Sequence, residues 1–472
     1  MAKKQWLKTG TVALLALALT ACSSGGNNGN AGGQNESGSG GTNAAAEGKT
    51  KIAYWTMDRH DMDFMQDKVD AFNAENEDNI EVEMTVLADN YNQAVEVAYA
   101  SNQAPDILRI FDFVTYVKKG YLAELDGFMD DEFRGKFESV LAENVNMIDG
   151  KLYSLPNTGQ YWRLIYNKDL FEQAGLSGPP QTLDEMVEYA KKITEAGKAE
   201  GAYGFASNFK NNSGFTRPAY AVGTLSSDTS HEGYNIQSGQ YDTGMYKDVV
   251  QAMRQMKEDG SMLPGAETLD IDPLRAQFAQ GKIGMYVNHS SEPAVYANQF
   301  PTEVDWAAAV VPTASGEPAG VTWVNAGAYL GINAHSDKQE AAYKFMEYLY
   351  GEELRVDYQE AGYGISVLPY VNEAAGAPEI AGIEGFLPTA YDGLYPATPL
   401  SITETKLEGL KMSDAFTRYI MTGGEDLDAL IADLDTRYNK ALEAARAEGL
   451  TNIEANPDFS AAALQSSLAS AQ

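Results

Sequence analysis

Three places in the first third of the chain pair a hydrogen-bonding side chain with a second polar or aromatic one: Asp58-Arg59, Asn90-Tyr91 and Asp112-Phe113. Carboxylates, amides and guanidinium groups hold hydroxyls, and flat rings cover apolar faces, so this is the chemistry of non-covalent capture. Reaction chemistry has less to stand on. There is no Gly-x-Ser-x-Gly elbow, no His-Glu-x-x-His, no EF-hand loop and no dinucleotide fingerprint outside a glycine-rich stretch near the start. The histidines, His60, His231, His289 and His335, stand singly, so neither a zinc site nor a triad assembles from neighbours, and no metal or cofactor is expected. With 67 acidic residues, a carboxylate pair for glycoside hydrolysis can be found anywhere, and the abundance carries no information.

Each pair follows a segment that reads as a strand. Lys51 to Trp55 is the first; Glu81 to Leu87 alternates Val82, Met84 and Val86 against Glu81, Glu83 and Thr85; Pro105 to Ile110 is the third. Between the first two, Met62, Met65, Val69 and Phe72 share one helix face. Strands alternating with helices imply a mainly parallel sheet, whose ligands gather outside the carboxyl ends of the strands. The three pairs should therefore converge on one edge, although Asp89 or Asn90 has an alternative role as a helix cap. Further on, Thr182-Leu183-Asp184-Glu185 reads as a capping box, Asp272-Pro273 as a cap followed by the first helical residue, and Leu427, Leu430, Ile431, Leu434, Tyr438 and Leu442 as the inner face of a last helix. The Ala/Ser/Gln-rich end, 456–472, has little to pack and is expected to be loose.

Charge and cysteine usage bear on compartment. The formal net charge is -33, which repels nucleic acid and anionic lipid surfaces and mildly disfavours anionic ligands. The single cysteine, Cys22, rules out an intramolecular disulfide. It follows a basic start and an apolar run, Val12 to Leu19, that is too short to span a bilayer, which needs ~20 residues. Leu19-Thr20-Ala21-Cys22 resembles the lipobox cut by lipoprotein signal peptidase, so 1–21 reads as a signal peptide and Cys22 as an acylated first residue. Residues 22–50 are mostly Gly, Asn, Ser and Ala and read as a tether spanning roughly 30 Å.

The run from Gly150 to Gly175 is extended around Pro156 and Gly159, continues as a buried strand at Leu164, Ile165 and Tyr166, and closes a short helix at Gly175. It reads as a crossing between two lobes. Its Gly150-Lys151-Leu152-Tyr153-Ser154-Leu155-Pro156 and Tyr166-Asn167-Lys168-Asp169-Leu170-Phe171 resemble the "GK-Y-LP" and "YNKDLF-AG" motifs of the extracellular solute-binding proteins (family 1) of carbohydrate ABC importers, the maltose-binding-protein-like lipoproteins. The Pro105-Asp106 turn and Phe278 to Met285, similar to the family's "F-GK-AM" element, extend the resemblance over nearly the whole chain after the tether.

The resemblance implies an α/β, two-lobed periplasmic-binding-protein-like fold of type II, each lobe a mainly parallel sheet flanked by helices, with three crossings. The expected layout is 51–155 and 321–362 in the first lobe, and 156–320 and 363–455 in the second. It also implies further contact positions: Asn157, Tyr161 and Trp162 at the first crossing, Asn208 and Phe209 in a second-lobe loop, Asn288 and His289 at a strand end, Trp323 and Asn325 before the return strand, and Tyr363 at the third crossing. At His289 the family often places a stacking aromatic, and a lone histidine is more often structural. The implied role is that of a monomeric binding protein, not an enzyme, lipid-anchored on the extracytoplasmic face of a Gram-positive cell. It would deliver a sugar or oligosaccharide to the transmembrane subunits of an ABC permease. Five Trp and 27 Tyr supply faces suited to sugar rings. A non-sugar solute, or a secreted glycosidase, stays open. Replacing Cys22 with Ala should move the protein from the membrane pellet to the soluble fraction on ultracentrifugation, and an unchanged pellet would refute lipid attachment.

Overall fold

The computed structural model describes residues 48–87 and 90–468, so the signal peptide, Cys22, most of the tether, Asp89 and the last four residues lie outside it. Eight strands make two four-stranded sheets: β1 (Thr50–Thr56), β2 (Ile80–Val86), β3 (Ile107–Arg109), β4 (Trp162–Asn167), β5 (Tyr203–Phe205), β6 (Ile283–His289), β7 (Trp306–Ala309) and β8 (Leu330–Ile332). The first sheet has the order β8-β3-β1-β2, with β1 parallel to both neighbours and β8 antiparallel to β3. Alternation in β1 sends Ile52, Tyr54 and Thr56 inward. Helix Met62–Glu75 answers with Met65, Val69 and Phe72, and helix Gln339–Leu349 with Phe345, whose ring lies 5.9 Å from Tyr54 and 5.0 Å from Phe72. Asp106 accepts from Ala53 N at 2.8 Å and Ser336 Oγ at 2.6 Å, so the Pro-Asp motif ties β1 to the turn after β8.

The second sheet has the order β7-β4-β6-β5. Here β6 is parallel to β5, but β4 is antiparallel to both β6 and β7. This sheet is thus mixed where a mainly parallel one was expected. The reason is the route of the chain. β4 and β8 each continue directly from a crossing, so they begin at the edge where the other strands end and must run the opposite way. In the first sheet the reversed strand is at the edge; in the second it is central, which makes most pairings antiparallel.

The crossings themselves lie side by side. Thr158–Gly159 pairs antiparallel with Ile365–Ser366, and Gln160 N donates to Asn325 O at 3.0 Å. Gly159 is a packing glycine: a Cβ there would sit 2.4 Å from Val324 Cγ1 and 2.7 Å from Val367 Cγ1. Just beyond, Arg163 is completely buried, and every guanidinium N–H has a partner. Nη1 and Nη2 donate to the Asp392 carboxylate at 2.8 and 2.7 Å, and the remaining bonds go to the carbonyls of Trp162, Gly385 and Leu387.

Helix Leu183–Ala196 opens with the expected box, Glu185 N donating to Thr182 Oγ1 at 3.0 Å, and buries Leu183, Met186, Ala190 and Ile193. The last helix, Leu427–Ala447, buries Leu427, Leu430, Leu434, Tyr438 and Leu442. Three expectations are corrected. The cap of helix Ile271–Ala279 is Asp270, not Asp272, and Pro273 is accommodated within the first turn, where the N–H groups have no intrahelical partner. Thr322-Trp323 pairs with Asp392-Gly393 and packs on helix Ser213–Ser226, on the second-sheet side of its crossing. The end of the chain is not loose through 468: Ala461 and Leu468 are buried, Ala461 N donates to Asp228 O at 2.8 Å, and Ser466 N donates to Ala390 O at 2.9 Å.

Removing one partner of a buried ion pair strands the other charge, at a cost of about 3–5 kcal/mol. Asp392→Ala should lower the urea-unfolding free energy by that amount. The Arg163→Met/Asp392→Leu double variant should recover part of the loss.

Candidate functional site

A cleft of about 740 Å³ lies where strand ends from both sheets meet the crossings. The first sheet supplies Asp58, two residues beyond β1, and Arg109, the last residue of β3; β6 supplies His289, followed by Ser290 and Ser291. Gln160, Asn325 and Tyr363 come from the three crossings, and Tyr329 precedes β8. This is the placement the carboxyl-end rule requires.

The polar groups are held but not used up. Arg109 Nε donates to Asp58 Oδ2 at 3.2 Å, and its Nη1 bonds the carbonyls of Ile110, Ala328 and Tyr329. The guanidinium lies 4.5 Å from the Tyr329 ring centre. Arg109 Nη2 and Asp58 Oδ1 have no hydrogen-bond partner among the described residues, a donor and an acceptor that suit a hydroxyl. Burial, followed by the Asp58 charge, pushes the Tyr329 phenol up to about 12, so it stays a donor at neutral pH.

On the opposite wall, Glu292 is buried and accepts from Asn288 Nδ2 and Tyr286 Oη, each at 2.7 Å, and from Arg275 Nε at 3.0 Å. This fixes the turn that carries His289 to Ser291. Ser290 Oγ donates to Gly159 O and accepts from Tyr161 N, both at 3.3 Å, joining that turn to the first crossing. The His289 ring meets Trp162 edge-on at 5.3 Å, and its Nδ1 is buried without a partner among the described residues. Burial, then Arg217 and Arg275, pushes its pKa down to about 3.

Of the expected contact residues, Asp58, His289, Asn325 and Tyr363 line this cleft. The others are placed elsewhere. Arg59 is exposed, and Asn90 sits at the start of helix Tyr91–Ala100 beside a separate shallow hollow. Tyr91 is buried and donates to Arg109 O at 2.7 Å, supporting the cleft from behind. Asp112 caps helix Phe113–Lys118 through Thr115 N, and Phe113 is core. Asn157 is buried and accepts from Arg355 Nη1 at 2.7 Å; Tyr161 is buried and donates to Ser366 O at 2.6 Å. Trp162, Asn208, Phe209 and Asn288 are also buried, and Trp323 lines a different cavity. Sequence reasoning missed Arg109, Gln160, Ser291 and Tyr329. A usable signal existed for Gln160. In an extended crossing, side chains alternate, so Gln160 must face away from Tyr161.

Two α/β lobes with a solute-sized cleft at their strand ends, bridged by three crossings, define the architecture of a solute-binding protein. The chain matches the family model described as bacterial extracellular solute-binding protein over residues 58–355, more than half its length, and belongs to that family. A binding protein of Brucella abortus (strain 2308) is 28% identical over 269 residues, 56% of this chain, and the chain spans 62% of that relative's length. The polygalacturonan/rhamnogalacturonan-binding protein YtcQ of Bacillus subtilis (strain 168) is 25% identical, over 45% of this chain and 44% of its own. Among solved structures, the cyclic alpha-maltosyl-1,6-maltose binding protein from Arthrobacter globiformis superposes with a TM-score of 0.66 at 19% identity, covering 84% of this chain and all of that one.

The His289 shift has a definite sign. Its folded pKa lies below the ordinary 6.5, so between those values the unfolded chain takes up a proton that the folded one does not, and stability falls as pH drops. From pH 7 to 5, the wild-type protein should lose about 2 kcal/mol more than His289→Gln in urea unfolding. Equal losses would show that the imidazole titrates normally.

Proposed function

We propose that the chain captures a carbohydrate between its lobes and presents it to the transmembrane subunits of an ABC permease. The observation that carries this is the donor and acceptor at Arg109 and Asp58 that have no partner among the described residues, in a cleft also lined by His289, Ser291, Gln160, Asn325 and Tyr363. A ligand touching both walls favours the closed arrangement by its differential affinity, and a permease can read that state. The name of YtcQ supports a sugar chain as solute. A relative from Agrobacterium fabrum (strain C58 / ATCC 33970), 26% identical over 41% of this chain, is named for sn-glycerol-3-phosphate, and Arg109 keeps such a small anionic solute as the second reading.

The rest of the proposal concerns the setting. We propose a monomer held at the extracytoplasmic face through acylated Cys22 and the tether; no helix among the described residues is long and apolar enough to cross a membrane. We place the lobe boundaries at the crossings near 158–160, 325 and 365.

Calorimetry with maltotriose, raffinose, xylotriose, trigalacturonate and glycerol 3-phosphate tests the reading. At least one saccharide should bind and raise the melting temperature. Asp58→Asn and Gln160→Ala should each weaken it about tenfold to a hundredfold, the loss expected for hydrogen bonds made to a ligand. Heat from glycerol 3-phosphate alone would overturn the sugar assignment.

A further inference from the structure

A second cavity, of about 400 Å³, meets the cleft only at Asn325 and Ala326. Its walls come from 140–146, which precede the first crossing, from His231-Glu232, from Trp323 to Gly327, and from 394–404. We propose that this cavity is a separate binding site for a single neutral sugar ring, built around Asn146, His231, Trp323 and Tyr395.

Asn146 carries the most weight. It is completely buried, lines the cavity, and neither Oδ1 nor Nδ2 has a hydrogen-bond partner among the described residues. An amide buried without a donor and an acceptor of its own is costly, and a hydroxyl provides both. His231 repeats the pattern: it is 4% exposed, and its Nδ1 is likewise unpartnered. Burial pushes the His231 imidazole down to about 3, so at neutral pH the ring is uncharged.

The aromatic walls are set in place. The His231 ring lies 4.8 Å from Trp323 and 5.0 Å from Tyr395. Trp323 N donates to Thr224 Oγ1 at 3.1 Å, and Tyr395 Oη bonds Thr224 O at 3.0 Å and Val321 O at 3.2 Å. Flat, fixed faces beside amide and imidazole groups suit the two sides of a sugar ring.

Ions are poorly served. No Lys or Arg is among the described residues that line the cavity, so an anion has no cationic partner there. Of the two acids in the lining, Glu404 is already paired with Lys411 at 2.7 Å, and burial pushes the Glu232 carboxyl up from its ordinary range, which disfavours its charged form and weakens any hold on a cation. The cavity also touches segments that belong with both sheets and shares the 325–326 crossing with the cleft.

The test uses the full chain with the cleft weakened by Asp58→Asn and Gln160→Ala, and D-glucose, D-galactose, D-xylose and choline as probes in saturation-transfer NMR titrations. At least one monosaccharide should bind saturably, and both Asn146→Leu and Trp323→Leu, each added separately, should weaken it tenfold or more. Melting curves identify any variant that has unfolded, and the other then decides. Absence of monosaccharide binding, undiminished binding in a folded variant, or preference for choline would overturn the inference. The oligosaccharide titration of the unmodified cleft is read separately, so that failure leaves the cleft assignment standing.

Discussion

The buried Arg163–Asp392 pair is the interaction on which the bridging region depends. Arg163 is the second residue of β4, where the chain has just arrived from the first crossing. Asp392 lies in a short strand paired with Thr322, just before the second crossing. One bidentate contact therefore fixes the exit of one crossing against the entry of another, and the bonds to Gly385 and Leu387 bring in the segment that follows the third. Two charges with no exposure are tolerable because all five N–H groups are satisfied, and Asp392 Oδ2 takes two further bonds from Thr389. A lysine could not reproduce this, since it has three donors and no planar fork.

With those ends fixed, strand direction follows. A chain that enters a lobe at the cleft must start its strand there, so β4 and β8 run against their neighbours. Their first residues then lie beside the last residues of other strands: Trp162 opposite His289, and Leu330 opposite Arg109. Each wall of the cleft thus combines the end of an ordinary strand with the start of a reversed one. This brings Tyr329 under the Arg109 guanidinium and Trp162 against the His289 ring.

Much of the framework could be read from residue patterns, because periodicity and capping act locally. The capping box at Thr182, the face of the last helix and the inward positions of β1 needed no tertiary information. Site residues were harder, since one residue of shift changes the face. Taking the third strand on to Ile110 moved attention to Asp112-Phe113, whereas the strand ends at Arg109 and the later pair starts a helix, one residue as its cap and the other in the core. Within the first crossing, Asn157 and Tyr161 look like ligand groups by type, but they share the inward face and bond Arg355 and the Ser366 carbonyl. Arg163 was masked by the apolar run beside it, and nothing local announces that an aspartate 229 positions away will neutralise it.

Gly159 shows how the same residue supports two different arguments. As a glycine in a crossing it invites a flexible-hinge reading, yet it is strand-paired with Ile365, and Val324 and Val367 leave no room for a side chain. Its role here is close approach, which lets the three crossings pack as one narrow layer. Gly159, Val324 and Val367 interlock across all three crossings, so none of the three can shift without displacing its neighbours. Both cavities border this layer at Asn325 and Ala326. The tight glycine is what lets the crossings pack directly against one another.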